Sequence, residues 1–135
     1  MEKSISKPRS GAVTPGQIVV ALAGVFYTLT ALALLFAPVW FFQHIGTYGL
    51  YNRHYEGDLG AFLLALGLAL LVAARDPARH RLLVWAAALG SLFHALNHLY
   101  DSLLVLAWPG DWLMTTIPLL VFSLLLVWVA LRARV

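Results

Sequence analysis

Four long apolar runs set the pattern of this chain. A helix crossing the hydrocarbon of a bilayer needs about 20 mostly apolar residues. The first run covers residues 17–37 and stops at Pro38. The third covers residues 82–107, closed by Trp108-Pro109-Gly110, and the fourth covers residues 112–131. The second run ends at residue 74, before Arg75-Asp76-Pro77, but its start is ambiguous. Residues 59–74 alone are too few for a crossing. Starting at residue 49 or 50 gives ~25 residues, a full span at about 1.5 Å per residue. That extension takes Asn52, Arg53, His54, Glu56 and Asp58 into the helix. We expect the longer helix; the alternative is a polar loop over residues 50–57.

The connections fit four spans. Residues 38–48, PVWFFQHIGTY, are aromatic and weakly polar. They predict an interfacial segment between helices 1 and 2, a short amphipathic helix or lid. The turn at Asp111-Trp112 is short, so the last two spans should be antiparallel neighbours. Residues 1–16 hold Ser, Pro, Gly and Lys without periodicity and predict a flexible tail. Residues 17–135 then form one four-helix domain. The first apolar run is longer than the ~7–15 residues of a signal-peptide core, so it is expected to be retained.

Composition agrees. Of 135 residues, 61% are hydrophobic and 11% charged, against about 45–50% and about 25% in soluble domains. A soluble enzyme, a disordered tail and a nucleic-acid-binding domain are excluded. The net charge of +3 comes without a dense basic stretch. Cysteine is absent, which removes disulfides, thiolate metal sites and Cys nucleophiles.

Orientation follows the basic residues. Lys3, Lys7 and Arg9 precede span one, Arg75, Arg79 and Arg81 separate spans two and three, and Arg132 and Arg134 follow span four. With four spans these lie on one side, leaving Arg53 as the exception. Glu56, Asp58, Asp101 and Asp111 lie toward the other side. The expected architecture is all-α: an integral membrane four-helix bundle with both termini inside, in a bacterial cytoplasmic membrane. Trp40, Trp85, Trp108, Trp112 and Trp128 all fall near span ends, as an aromatic belt requires.

Polar residues inside the spans carry the candidate chemistry. Span two has small residues at spacing four: Gly57, Ala61, Ala65, Ala69 and Ala73. Such a ladder lets helices approach in lipid. Its mean direction coincides with His54 and Asp58, and Glu56 points elsewhere. In span three, Ala87, Gly90, His94, Asn97, His98 and Asp101 share an arc of about 100°. Asp58 and His98 both lie roughly 24 Å above the basic end of their helices. The two helices are therefore expected to converge on one outward-opening pocket. Intramembrane ionisable groups cost at least about 2.5–3.5 kcal/mol near the bilayer centre, so such groups line a cavity, pair or bind something.

Several chemistries fit. His94 and His98, at i, i+4, would share a divalent metal, zinc or iron, with Asp58 as a further ligand. Haem on His54 or His98 ranks below that. Copper(I) is disfavoured, since only Met1 and Met114 would supply sulfur. A metal-free acid/base site would use His54, Asp58 and His98. Asn97, Asp101 and Tyr27 would then contact a small lipophilic ligand or quinone, with Thr28, Thr30, Thr115 and Thr116 adding hydroxyls. The competing function is an accessory subunit of a membrane complex, or a homo-oligomer, whose polar residues only fix helix packing. A proton- or metal-coupled carrier using Glu56 or Asp58 comes third; its weakness is that Ala and Leu fill the basic halves of both helices. His44 and His80 are expected to be loop residues without a role.

The run Asp58-Leu-Gly-Ala-Phe-Leu-Leu-Ala-Leu-Gly, opening span two of a four-span plan, resembles the DoxX-like superfamily of small bacterial membrane proteins. The resemblance covers the chain in outline. It implies a four-helix bundle and, for DoxX itself, association with membrane redox or quinone chemistry. It assigns no role to His54, His94 or His98.

Overall fold

The computed structural model describes residues 12–46, 49–104 and 116–133. Among these are five helices and no strand: α1 (Pro15–Phe36), α2 (Pro38–His44), α3 (Arg53–Ala73), α4 (Arg81–Leu104) and α5 (Ile117–Arg132). Three helices are long and apolar enough to cross a membrane: α1, α3 and the stretch Arg81–Asp101 of α4, with mean hydropathies of 2.4, 1.8 and 1.4. This is the profile of an integral membrane protein. The described part of α5 has 16 residues, about 24 Å of helix. The expected turns at Trp108-Pro109-Gly110 and Asp111-Trp112 lie outside the described residues, as does Thr115.

Local chemistry explains the boundaries. Thr14 and Gln17 form a reciprocal capping box, and Pro15 occupies the first turn. Helix α1 therefore starts at Pro15, inside the segment expected to be a flexible tail. Pro38 ends α1 and opens α2, where its missing N–H costs nothing. The short interfacial helix expected over residues 38–48 is α2. Asn52 caps α3 by accepting from the backbone N–H groups of His54 and Tyr55 at 3.0 and 3.2 Å. The polar loop considered for residues 50–57 is thus replaced by helix from Arg53 onward.

The helices associate as two pairs, α1 with α3 and α4 with α5. The pairs share an apolar core built from Val20 and Ala23 of α1, Leu70 and Ala73 of α3, Ala87 of α4 and Leu126 of α5. That core lies toward the end carrying Arg75, Arg79, Arg81 and Arg132, here called the basic end. Arg81 Nε donates to the carbonyl of Ala130 at 3.0 Å, and Gln17 Nε2 to the carbonyl of Arg75 at 2.9 Å. These bonds tie α4 to α5 and α1 to the α3–α4 loop.

The α1/α3 contact overturns the expected packing face. A Cβ on Gly67 would lie 2.5 Å from Thr28 Oγ1 and 2.7 Å from the Thr28 backbone nitrogen. On Gly24 it would lie 2.8 Å from the Leu71 backbone nitrogen, and on Gly60 2.9 Å from Leu35. Glu56, Gly60, Gly67 and Leu70 are buried, whereas Ala61 and Ala65 are exposed. The physical reason is angular drift. Spacing four advances 40° per step, so the ladder Gly57, Ala61, Ala65, Ala69, Ala73 sweeps about 160° and cannot face one neighbour. Spacing seven drifts only ~20° and keeps Gly60 and Gly67 on one stripe. That stripe lies opposite the middle of the alanine ladder.

Candidate functional site

The polar side chains sit on helix surfaces. His54 Nε2 and Asp58 Oδ2 lie 3.4 Å apart, one turn from each other on α3, with side chains 88% and 61% exposed. They occupy the α3 face turned away from α1. On α4, His94 Nε2 and His98 Nε2 are 3.0 Å apart, with ring centroids at 4.8 Å and planes tilted by 48°. One ring donates its N–H to the other's lone pair, so at least one ring is neutral. Asn97 Nδ2 donates to Asp101 Oδ2 at 3.2 Å.

All three contacts join residues four apart on a single helix. The expectation of one cluster shared by α3 and α4 is therefore corrected. Among the described residues, no three His, Asp or Glu side chains gather closely enough to hold a metal ion. His94, His98 and Asp58 do not form the expected ligand set within this chain. The packed face of α4 is Val84, Ala87, Ala88, Ser91 and Ala95. His94, Asn97, His98 and Asp101 lie about 100° round from it. Ala87 sits where the two stripes meet, and for that reason the sequence pattern merges them. Gly90, expected on the packed face, is exposed with open space around it.

Tyr27 belongs elsewhere. It is buried in the core shared by the two pairs, and its hydroxyl bonds Ser91 of α4. Ser91 Oγ donates its one proton to the Ala87 carbonyl at 2.6 Å. The Tyr27 hydroxyl is then the donor to Ser91. Tyr27 is an interhelical tie between α1 and α4. Thr28 Oγ1 is buried without a hydrogen-bond partner, pressed toward Gly67. Its hydroxyl is closed off from any ligand. Thr116 is also buried, at 1% exposure.

Glu56 is the residue the sequence reading placed wrongly. Expected to point away from the interior, it is only 6% exposed. Its carboxyl makes no hydrogen bond or ion pair among the described residues. It lies near the start of α3, where the helix dipole favours negative charge. The signal that would have found it is the Gly60/Gly67 stripe, which Glu56 extends by one turn. His44 sits at the end of α2, its Nδ1 2.8 Å from the Trp40 carbonyl and its ring stacked on Trp40.

No family model matches this chain, and no curated protein or solved structure is similar to it beyond chance.

Proposed function

We propose that this protein is an accessory subunit of a membrane assembly, and that the α4 stripe His94, Asn97, His98, Asp101 is the surface it presents to another transmembrane segment. The observation that carries this is the exposure of His94 and Asn97 on a helix of membrane-spanning length, away from the face that packs on α5. Polar groups left against lipid are costly, even when paired along their own helix. A partner helix with its own donors and acceptors removes that cost, as interhelical polar contacts do in lipid. In this reading the chain has four spans, as its four apolar runs suggest. The basic end, with both termini, lies in the cytoplasm of a bacterium. The DoxX-like outline is compatible with that plan.

The chain has no cysteine, so single engineered cysteines report cleanly. In mild-detergent extracts the protein should migrate in a native gel as an assembly well above 14.9 kDa. Replacing the four stripe residues by Leu should release it as a monomer. An unchanged assembly after that replacement rejects the proposal.

A second reading rests on the His94–His98 contact. Two Nε2 atoms 3.0 Å apart make half of a site for a divalent metal, zinc or iron. A small lipophilic ligand or the partner would then supply the remaining contacts. Metal content of the purified protein, with and without chelator, decides it. Less than about a tenth of an equivalent before chelation removes the metal.

A further inference from the structure

At the basic end a cleft of about 540 Å³ opens between the start of α1, the α3–α4 loop and the end of α5. Gln17, Arg75, Asp76, Trp128 and Arg132 line it. A second groove of about 400 Å³ adjoins it, walled by Ile18, Ala21, Leu22 and Val25 of α1 and by Ala74. Val13, Gln17 and Arg75 line both. One cavity thus mixes polar and apolar walls and holds two arginines, the other is apolar, and Arg75 stands at their junction. We infer that the pair forms a binding site for one anionic phospholipid, with its phosphate between Arg75 and Arg132 and one acyl chain along α1.

Three observations carry this. The first is charge. Two arginines line the cleft against one aspartate, and Asp76 Oδ1 already accepts from the Arg79 backbone N–H at 3.2 Å. Arginine forks match phosphate oxygens in pairs. The Arg132 guanidinium lies over the Trp128 ring at 5.2 Å, which fixes it at the depth where interfacial tryptophans sit. The second is shape. Ile18, Ala21, Leu22 and Val25 follow 3,4 spacing and form one face of α1. Along α1 from Ile18 to Val25 the groove runs about 10 Å, within the ~15 Å of one hydrocarbon leaflet. The third is connectivity. A phospholipid places its phosphate one glycerol away from its chains, and the two cavities meet in that way at Arg75. Free phosphate would use only the polar half, and a zwitterionic lipid would bring its own cation against the arginines.

The test uses the full chain in phosphatidylcholine vesicles doped with brominated phosphatidylglycerol or brominated phosphatidylcholine. Bromine quenches Trp128 fluorescence, and Trp128→Phe supplies the background from the other tryptophans. Phosphatidylglycerol should be preferred about tenfold or more. Arg75→Gln and Arg132→Gln should each reduce that preference about fivefold. Arg75→Lys should keep most of it, showing that the variant protein still folds and that charge is what matters. Ala21→Phe, which fills the groove, should lower it too. Arg79→Gln, in the same loop but outside the cleft, should leave it unchanged. Equal quenching by the two lipids overturns the proposal. An Arg79→Gln effect as large as that of Arg75→Gln does so as well, since bulk surface charge then explains the preference. Displacement by millimolar inorganic phosphate would show a free-anion site and overturn the lipid assignment. An unchanged preference in Ala21→Phe would remove the acyl chain from it.

Discussion

The two helix pairs differ in the residues that fill their contacts. Between α1 and α3, glycines at 24, 60 and 67 bring the helices into close contact, and Arg53 Nη2 adds one long bond to the Leu35 carbonyl at 3.4 Å. Helices α4 and α5 instead carry hydroxyls bonded within their own helices, Ser91 to Ala87 and Ser123 to Leu119, each at 2.6 Å. Arg81 reaches across to the α5 backbone. Small residues and short polar side chains are the two devices that join helices in lipid, where burial of apolar surface supplies no drive. The first pair is closed by its glycines; the second pair carries the exposed polar stripe. A helix that must also bind a partner cannot spend all its polar groups on its neighbour.

The largest effect that would test this contrast is at Gly67. Gly67→Ala puts a Cβ 2.5 Å from Thr28 Oγ1 and 2.7 Å from the Thr28 nitrogen. Backbone stands behind the clash, so the helices must separate. Overpacking of this kind costs about 1–3 kcal/mol, and thermal unfolding in detergent should show it. Ala65→Leu, on the exposed face, should stay within about 0.5 kcal/mol of the parent. Equal damage at both positions would restore the alanine ladder as the contact.

This contrast also marks how far the sequence could be read. The apolar runs located α1, α3 and α4 and the place of α2, because span length and proline breaks are local properties. Asn52 as an N-cap settled the ambiguous start of α3, and that signal was present in the letters. The packing face was not legible by counting alanines, since a spacing-four ladder spirals out of contact while two glycines seven apart do not. The resembling run from Asp58 to Gly67 contains both glycines, so helix packing alone accounts for much of its pattern. Equal depth on two helices said that Asp58 and His98 share a level. It said nothing of azimuth, and the two residues occupy faces that do not meet in a shared cluster.

Glu56 sharpens the comparison from the glycine side. Glu56 is only 6% exposed, and its charge costs the α1/α3 pair some desolvation that the N-terminus of α3 offsets in part. Glu56→Gln should raise stability by about 1 kcal/mol, and Glu56→Leu by at least as much. Loss of stability or of assembly in both variants would mean that a partner outside this chain pairs with the carboxyl.

Tyr27 links the pairs, so its removal should weaken their joint more than either pair alone. Tyr27→Phe deletes one interhelical hydrogen bond and leaves Ser91 bonded to Ala87. Such bonds average about 0.6 kcal/mol in membranes. Cysteine crosslinking between α1 and α4 should fall while crosslinking between α1 and α3 stays constant.

The smallest effect is expected at His54 and Asp58, the residues that the sequence pattern placed at the centre of a pocket. Their contact is 3.4 Å, with both side chains mostly exposed. A polar contact in that setting is worth about 0–0.5 kcal/mol, because solvent screens it and ordering two side chains offsets the attraction. His54→Ala, Asp58→Ala and the double variant should therefore form a cycle with a coupling below about 0.5 kcal/mol. The isolated chain in detergent is the right setting, since no partner then covers α3. The cycle should next be repeated on the native assembly. A coupling that stays small there leaves the α4 stripe as the contact surface. A coupling of 2 kcal/mol or more, as ~2 kcal/mol is typical of a charge pair buried by a partner, would move the interface to α3 and reverse the comparison between the two pairs.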